Sequence, residues 1–359
     1  MLYYIIMLSL VQIEIIPIRN IIRNIKSMKN ILVTGGAGYV GSQTCKLLKE
    51  KGYTPVVFDN LVYGHKYAVK WGDLVIGDLN NFTEIDSAIK KYQPVAVIHC
   101  AAYTYVGESV STPAKYYENN VVGSLNLFNA MLKNNVKNIV FSSTCATFGN
   151  IEKFPLLEST PQNPISPYGM SKLMVENILK DFDHAYGLKS VIVRYFNVSG
   201  ADYESEVGED HTPESHIIPL VLDVALGISD HIKMFGDDYP TKDGTCIRDY
   251  IHTEDLANAH VLSLEYLFKN NTSNDFNLGS ETGYSVKEII NAVEKVSNKP
   301  VKIVVSPRRA GDPASLVATA KKAKEVLGWE AKYKDIYKIV ETAYKWHLKL
   351  QEIRKNKVS

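Results

Sequence analysis

Tyr168 and Lys172 stand four residues apart in the run Ser166-Pro167-Tyr168-Gly169-Met170-Ser171-Lys172, a spacing that puts both side chains on one face of a helix. The chemistry open to such a pair is proton transfer. A free phenol has a pKa of about 10 and is a poor base at neutral pH unless a nearby ammonium stabilises the phenolate. Lys172 can supply that charge. Ser166 suits a helix cap and Pro167 the first helical position, so Tyr168 falls in the first turn, where the helix dipole also favours an anion. A lone Tyr and Lys at this spacing also fit an ordinary surface turn, and the rest of the chain decides between the two.

A second element lies upstream. Asn30-Ile31-Leu32-Val33-Thr34 reads as a short buried strand, followed by Gly35-Gly36-Ala37-Gly38-Tyr39-Val40-Gly41 and a helical stretch to Lys49. Glycines permit a tight turn and a close approach of backbone to a pyrophosphate, which then sits at a helix N-terminus. The next strand, Thr54 to Phe58, ends on Asp59. A carboxylate there suits a ribose diol and repels a 2′-phosphate, and no Lys or Arg follows until Lys66, which indicates NAD over NADP.

Further apolar runs alternate with helical patterns in the order of a parallel sheet with crossover helices. Strands are expected at Leu74 to Ile76, Val95 to His99, Asn138 to Phe141 and Ser190 to Arg194, with long amphipathic helices at Pro113 to Asn134 and Pro167 to Tyr186. Ligands bind beyond the carboxyl ends of such strands, so Asp78, Cys100, Ser142 and Tyr195 should converge on one crevice. After Asn197 comes a polar loop, Ala201 to Ser215. Beyond it Arg248 leads toward a helix capped near Thr253, and Pro307-Arg308-Arg309 brings guanidinium groups into a loop. Arg248 and Arg309 are candidates for a diphosphate clamp, because guanidinium pairs bidentately with phosphate.

The chain has 359 residues, 45% of them hydrophobic, and a net charge of +1. That is enough for a large core and about two domains. It offers no basic run interleaved with aromatics, so nucleic acid is not an expected partner. Cys45, Cys100, Cys145 and Cys246 are far apart, which speaks against a zinc motif and a disulfide framework and for a reducing, cytoplasmic setting. Met1 to Ile16 is largely apolar, but Glu14 and Pro17 interrupt it and it is too short to span a bilayer. Residues 1–27 are therefore expected to lie outside the fold, with Met28 as its start and no membrane partner.

Taken together, Thr34 to Ser42, Val106-Gly107-Glu108-Ser109, Ser166 to Lys172, Arg194 to Asn197, Phe235 to His252 and Pro307 to Asp312 resemble the UDP-glucose 4-epimerase family of extended short-chain dehydrogenases. The resemblance runs from Lys29 to about Leu350. It implies an α/β fold, a Rossmann-like doubly wound parallel sheet with a smaller α/β C-terminal substrate domain. The expected division is 28–198 for NAD and 199–350 for the UDP-sugar, some segments of the second returning to the first. It also implies a homodimer formed through the two long helices, and a reaction in which a hexose is oxidised at C4, turned over and reduced again on its other face.

Carried over residue by residue, the resemblance assigns catalysis to Tyr168, Lys172 and Thr144. Gly35, Gly38, Tyr39 and Val40 would lie at the pyrophosphate, Asp59 and Asn60 at the adenosine ribose, and Asp78 and Leu79 at the adenine. Cys100, Ala101, Ala102, Asn119, Ser142 and Tyr195 would line the rest of the NAD site, with Tyr168 and Lys172. Thr144, Tyr168, Asn197, His216, Ile217, Lys233, Phe235, Arg248, Arg309, Asp312 and Leu316 would hold the UDP-hexose. Thr104 stands where the best-known bacterial form has a Lys near the NAD phosphates, and His216 replaces an Asn, so these two contacts do not carry over. Leu316 is intermediate between a bulky Tyr, which restricts the sugar to glucose and galactose, and smaller residues that admit an N-acetyl group. A 4,6-dehydratase would need a carboxyl after Thr144, where this chain has Cys145-Ala146. A UDP-uronate or UDP-pentose 4-epimerase remains the alternative.

Overall fold

The computed structural model describes residues 29–150, 155–309 and 313–358; the expectations for residues 1–27 and for Asp312 lie outside the described residues. Seven parallel strands form the main sheet: β1 (Asn30–Thr34), β2 (Thr54–Asp59), β3 (Asp73–Ile76), β4 (Ala96–His99), β5 (Asn138–Ser142), β6 (Lys189–Tyr195) and β10 (Asn274–Leu278). Their spatial order is β10-β6-β5-β4-β1-β2-β3. The order reverses between β1 and β4, and a crevice at the carboxyl ends is the geometric result.

The central strands are apolar on both faces because helices cover both, whereas the edge strand β3 is partly exposed. On one side Ile31, Val33, Ile98, Val191 and Phe276 pack with residues of the helices Tyr39–Glu50 and Thr253–Asn270. On the other, Leu32, Val97, Ile139 and Ile192 pack with residues of the helices Phe82–Tyr92, Gly123–Lys133 and Pro167–Tyr186. The expected continuous helix from Pro113 is divided. Helix Pro113–Tyr116 passes into a π-turn at Tyr117–Val122 before the Gly123–Lys133 helix, and Asn119 and Asn120 in that turn are buried.

Smaller elements stand over the carboxyl ends. β7 (Asn197–Ser199), β9 (Ile247–His252), β11 (Gly283–Ser285) and β13 (Ser315–Leu316) form one sheet, and β8 (Ile232–Phe235) pairs with β12 (Ile303–Ser306). Their core is built with the helices Ile217–Ala225, Val286–Ser297 and Ile336–Val358 through Ile218, Leu222, Ile289 and Ile339. The helix expected to be capped near Thr253 is capped one residue earlier. The ring of His252 accepts from the Glu254 N–H, so an imidazole does the work expected of a hydroxyl.

Candidate active site

The glycine turn after β1 shapes the floor of the crevice. A Cβ on Gly35 would fall 2.6 Å from the Ala101 nitrogen, and one on Gly41 would fall 2.1 Å from the Gly35 carbonyl oxygen. Both positions therefore require glycine. The following helix begins at Tyr39 with Gly38 as its cap residue and no side chain on its first N–H groups. An anion at that end gains from the dipole and from the unsatisfied donors.

Asp59 closes the turn from the end of β2. Its carboxylate accepts from Ala37 N–H at 3.0 Å and Leu61 N–H at 2.8 Å, and burial raises its pKa in spite of those bonds. Asn60 donates to Asp78 at 2.9 Å, joining the ends of β2 and β3. Ala101, Ala102 and Tyr103 follow β4 and turn over the crevice. The π-turn serves them: Asn119 donates to Asn120, which holds the Tyr103 backbone at 2.9 and 3.0 Å and Ser171 at 3.0 Å. A π-turn inserts one residue into the helical repeat, so consecutive asparagines both face inward.

Ser166 caps the Pro167–Tyr186 helix by accepting from Gly169 N–H, with Pro167 in the first turn, as the sequence indicates. Tyr168 shares a hydrogen bond with Thr144, which follows β5, and burial pushes its pKa up to about 12. Lys172 is buried one turn on and donates to the Ser142 carbonyl at 2.9 Å, and burial lowers its pKa to about 8. The protein's own groups thus hold the phenol neutral, where the sequence alone suggested depression by Lys172. Ser142 Oγ lies 2.7 Å from the Tyr195 hydroxyl and 3.1 Å from His260, which packs beneath. Glu176, a further turn along the helix, is fully buried against Arg194 of β6 at 2.7 Å. It also accepts from Ser143 at 2.5 Å, so helix, β5 and β6 are locked together directly under the Tyr168 turn.

One cleft of about 690 Å³ joins these parts. Of the residues singled out in the sequence, Gly35, Gly38, Tyr39, Val40, Asp59, Asn60, Leu79, Cys100, Ala101, Ala102, Asn119, Thr144, Tyr168, Tyr195, Asn197, His216, Arg248, Arg309 and Leu316 line it. Asp78, Ser142 and Ile217 do not line it but are each bonded or adjacent to a residue that does, and Lys172 lies one helical turn from Tyr168 and bonds the Ser142 carbonyl. Phe235 carries the Arg309 guanidinium 4.1 Å above its ring, whereas Lys233 on β8 is exposed. Phe196, which follows β6 as the sequence indicates, lines it too, and sequence reasoning passed over Tyr103, Glu108, Glu209 and His211, which also line the cleft. A signal existed for Glu108, which sits in the quoted Val106 to Ser109 run and accepts from Lys115 and Tyr116, both at 2.8 Å.

The sheet order and the glycine turn define a dinucleotide-binding fold carrying a Tyr/Lys pair. A family model described as the NAD dependent epimerase/dehydratase family matches residues 31–279, and the chain belongs to that family. The chain is 51% identical over 318 residues to the UDP-glucose 4-epimerase of Rhizobium meliloti, covering 89% of this chain and 97% of the relative. Among solved structures it resembles the Brucella ovis UDP-glucose 4-epimerase in complex with NAD, with a TM-score of 0.87 and 48% identity over 88% of this chain and 98% of that one. It also resembles the UDP-Glc/GlcNAc 4-epimerase of Campylobacter jejuni, with a TM-score of 0.79 and 40% identity over 89% of this chain and 99% of that one. Among the described residues, no helix is long and apolar enough to cross a membrane.

Proposed function

We propose that this chain is a UDP-glucose 4-epimerase that interconverts UDP-glucose and UDP-galactose with NAD as its resident cofactor. The observation that carries this is one continuous cleft whose lining brings the Tyr168–Thr144 pair together with the glycine turn and with Arg248, Arg309 and Leu316. The uncapped helix at Tyr39, the close-packed Gly35 and the Asp59 carboxylate fit a dinucleotide without a 2′-phosphate.

In this reading NAD supplies the acceptor and donor of the C4 hydride. Tyr168 takes the proton of the hexose 4-hydroxyl, and Thr144, bonded to it, holds that hydroxyl in line. Because burial outweighs the Thr144 hydrogen bond and keeps the phenol near 12 with Lys172 already in place, its activation calls on further positive charge beside it, which a nicotinamide ring would supply, while Lys172, positioned by Ser142, would hold the cofactor next to the phenol. Arg248 and Arg309 hold the diphosphate while the 4-keto sugar turns to offer its other face, and Tyr168 returns the proton. Asn197, His216, Ile217 and Phe235 complete the sugar-nucleotide half; Lys233 and Asp312 belong to the same proposal.

Leu316 stands beside Arg248 through the pairing of β13 with β9. Its size supports activity on glucose and galactose first and room for an N-acetyl group second. The cytoplasmic homodimer is part of the proposal: Val106, Val110, Val122 and Met174 are exposed apolar residues on the helical side of the sheet, and all four cysteines are free. The test is incubation of purified protein with UDP-galactose without added nucleotide, followed by separation of the sugars. UDP-glucose is the expected product. No conversion even with NAD supplied would move the reading to a uronate or pentose substrate.

A further inference from the structure

The polar loop between β7 and the Ile217–Ala225 helix carries four side chains that the epimerase reaction does not require together: Glu209, His211, Glu214 and His216. One ligand atom of each lies within 4.8 Å of all the others. His216 Nδ1 stands 2.6 Å from Glu209 Oε1 and 2.9 Å from Glu214 Oε1. His211 Nδ1 stands 3.3 Å from the same Glu209 oxygen and 3.6 Å from Glu214 Oε2. Two bonds of 2.0–2.1 Å in a tetrahedron place their ligand atoms about 3.3 Å apart, and the four separations, which involve both oxygens of Glu214, run from 2.6 to 3.6 Å about that value.

A proton network accounts poorly for this arrangement. Among the described residues, the ion-pair partners of Glu209 and Glu214 are the two imidazoles. Balancing the buried Glu209 and the part-buried Glu214 with protons would require both rings to be charged with their centroids only 5.4 Å apart and the same nitrogen of each aimed at one point, and of the four contacts it is His216 Nδ1 to Glu214 Oε1, at 2.9 Å, that forms an aligned hydrogen bond. Hydrogen bonds are also directional. Glu209, whose side chain is only 7% exposed, and His211 face each other, yet Glu209 Oε1 and His211 Nδ1 are both buried without an aligned hydrogen bond. A metal ion asks only that donors converge, and a dication balances two carboxylates while both imidazoles stay neutral.

We propose that Glu209, His211, Glu214 and His216 form a binding site for one divalent transition-metal ion of the zinc class. Two imidazoles and two carboxylates suit such an ion better than the oxygen-seeking Mg²⁺ or Ca²⁺. Four protein ligands leave no open position, so the ion is structural and takes no part in the hydride chemistry.

The backbone is built to present the ligands. Trp346 donates to the Glu209 carbonyl at 2.9 Å, and the neighbouring Asp210 takes Tyr67 at 2.6 Å and Arg354 at 2.5 Å. The His211 ring meets Tyr39 edge to face at 6.3 Å, and Tyr39 donates to the Gly200 carbonyl at 2.6 Å. The ion would therefore fasten this loop over the first turn of the glycine-turn helix. With its Nδ1 on the metal, His216 must carry its proton on Nε2, which makes that edge an obligate donor in the wall of the cleft.

The test uses the full-length protein with its cofactor, dialysed against a chelator and then titrated with Co²⁺ alone. About one Co²⁺ per chain is expected, with the visible bands of a four-coordinate N/O site, and Zn²⁺ but not Mg²⁺ displaces it. His211→Ala and Glu209→Gln each lower the affinity about tenfold or more, and His184→Ala, on an exposed stretch of another helix, leaves it unchanged. Crystals soaked in Zn²⁺ give the decisive readout independent of any variant: an anomalous peak among the four side chains supports the site. No uptake of Co²⁺, unchanged affinity in both variants, or a peak only elsewhere overturns it.

Discussion

Lys172 reaches across 2.9 Å to the carbonyl of Ser142, the last residue of β5, so the strand end and not the tyrosine fixes the ammonium. The same Ser142 holds Tyr195 and His260 through its hydroxyl. Lys172 is thereby locked one turn behind Tyr168 before any ligand arrives. Lys172→Met is expected to lower kcat about 100-fold or more, since it removes the charge that favours the phenolate. It should also weaken NAD retention. Steady-state rates and the nucleotide released on denaturation check both effects.

Tyr168 is held neutral by burial, with a pKa raised to about 12, and its bonded partner is Thr144. Tyr168→Phe should cut kcat by about a thousandfold while leaving KM within a few fold, because the hydroxyl acts in proton transfer more than in binding. Thr144→Val should lose less, and a larger loss for Thr144 than for Tyr168 would reverse the assigned roles.

The Glu176–Arg194 pair is buried with 0% and 1% of the side chains exposed. Glu176→Ala leaves a buried guanidinium whose remaining carboxylate partner among the described residues is Asp275 at 2.9 Å, and it should cost about 3–5 kcal/mol in urea unfolding. The double variant Glu176→Leu/Arg194→Met removes both charges and should recover most of that loss. Recovery in the double variant distinguishes an electrostatic penalty from lost packing.

The glycine-turn half of the cleft was legible because the strand ends carry chemistry: glycines follow β1, Asp59 ends β2 and Ser142 ends β5. Apolar runs give the strands, and the strand ends give the site. The family match then bears out the epimerase resemblance drawn from those motifs. The π-turn at Tyr117–Val122 was not legible, since one inserted residue leaves the hydrophobic period nearly intact. Glu209 and His211 were missed for another reason. Their loop has no period at all, and it is placed by Trp346 and Arg354, more than a hundred residues away in sequence.

Three histidines, His99, His252 and His260, are buried, and burial lowers their pKa values to about 3, 3 and 4 from 6.5. Above pH 6.5 they affect stability little. Below it the unfolded chain binds protons that the folded chain refuses, so stability falls as pH drops from 6.5 toward 4, by about 1.4 kcal/mol per pH unit for each such histidine. His260→Gln should make that slope shallower by one proton, read as the urea midpoint against pH. An unchanged slope would mean that His260 already takes up its proton in the folded protein.

Leu316 pairs with Arg248 in register between β13 and β9, so its backbone position is set relative to a residue assigned, in the proposed function, to the diphosphate. It also lines the cleft. A substitution there should change the space at the sugar without disturbing the nucleotide contacts. Leu316→Tyr is expected to suppress turnover of UDP-N-acetylglucosamine at least tenfold while leaving UDP-glucose within a few fold, because overfilling a packed wall penalises the larger sugar selectively. The ratio of kcat/KM for the two substrates measures this directly. A ratio that stays constant, or a parallel loss on both sugars, would place the acetyl-sized space against some other part of the cleft.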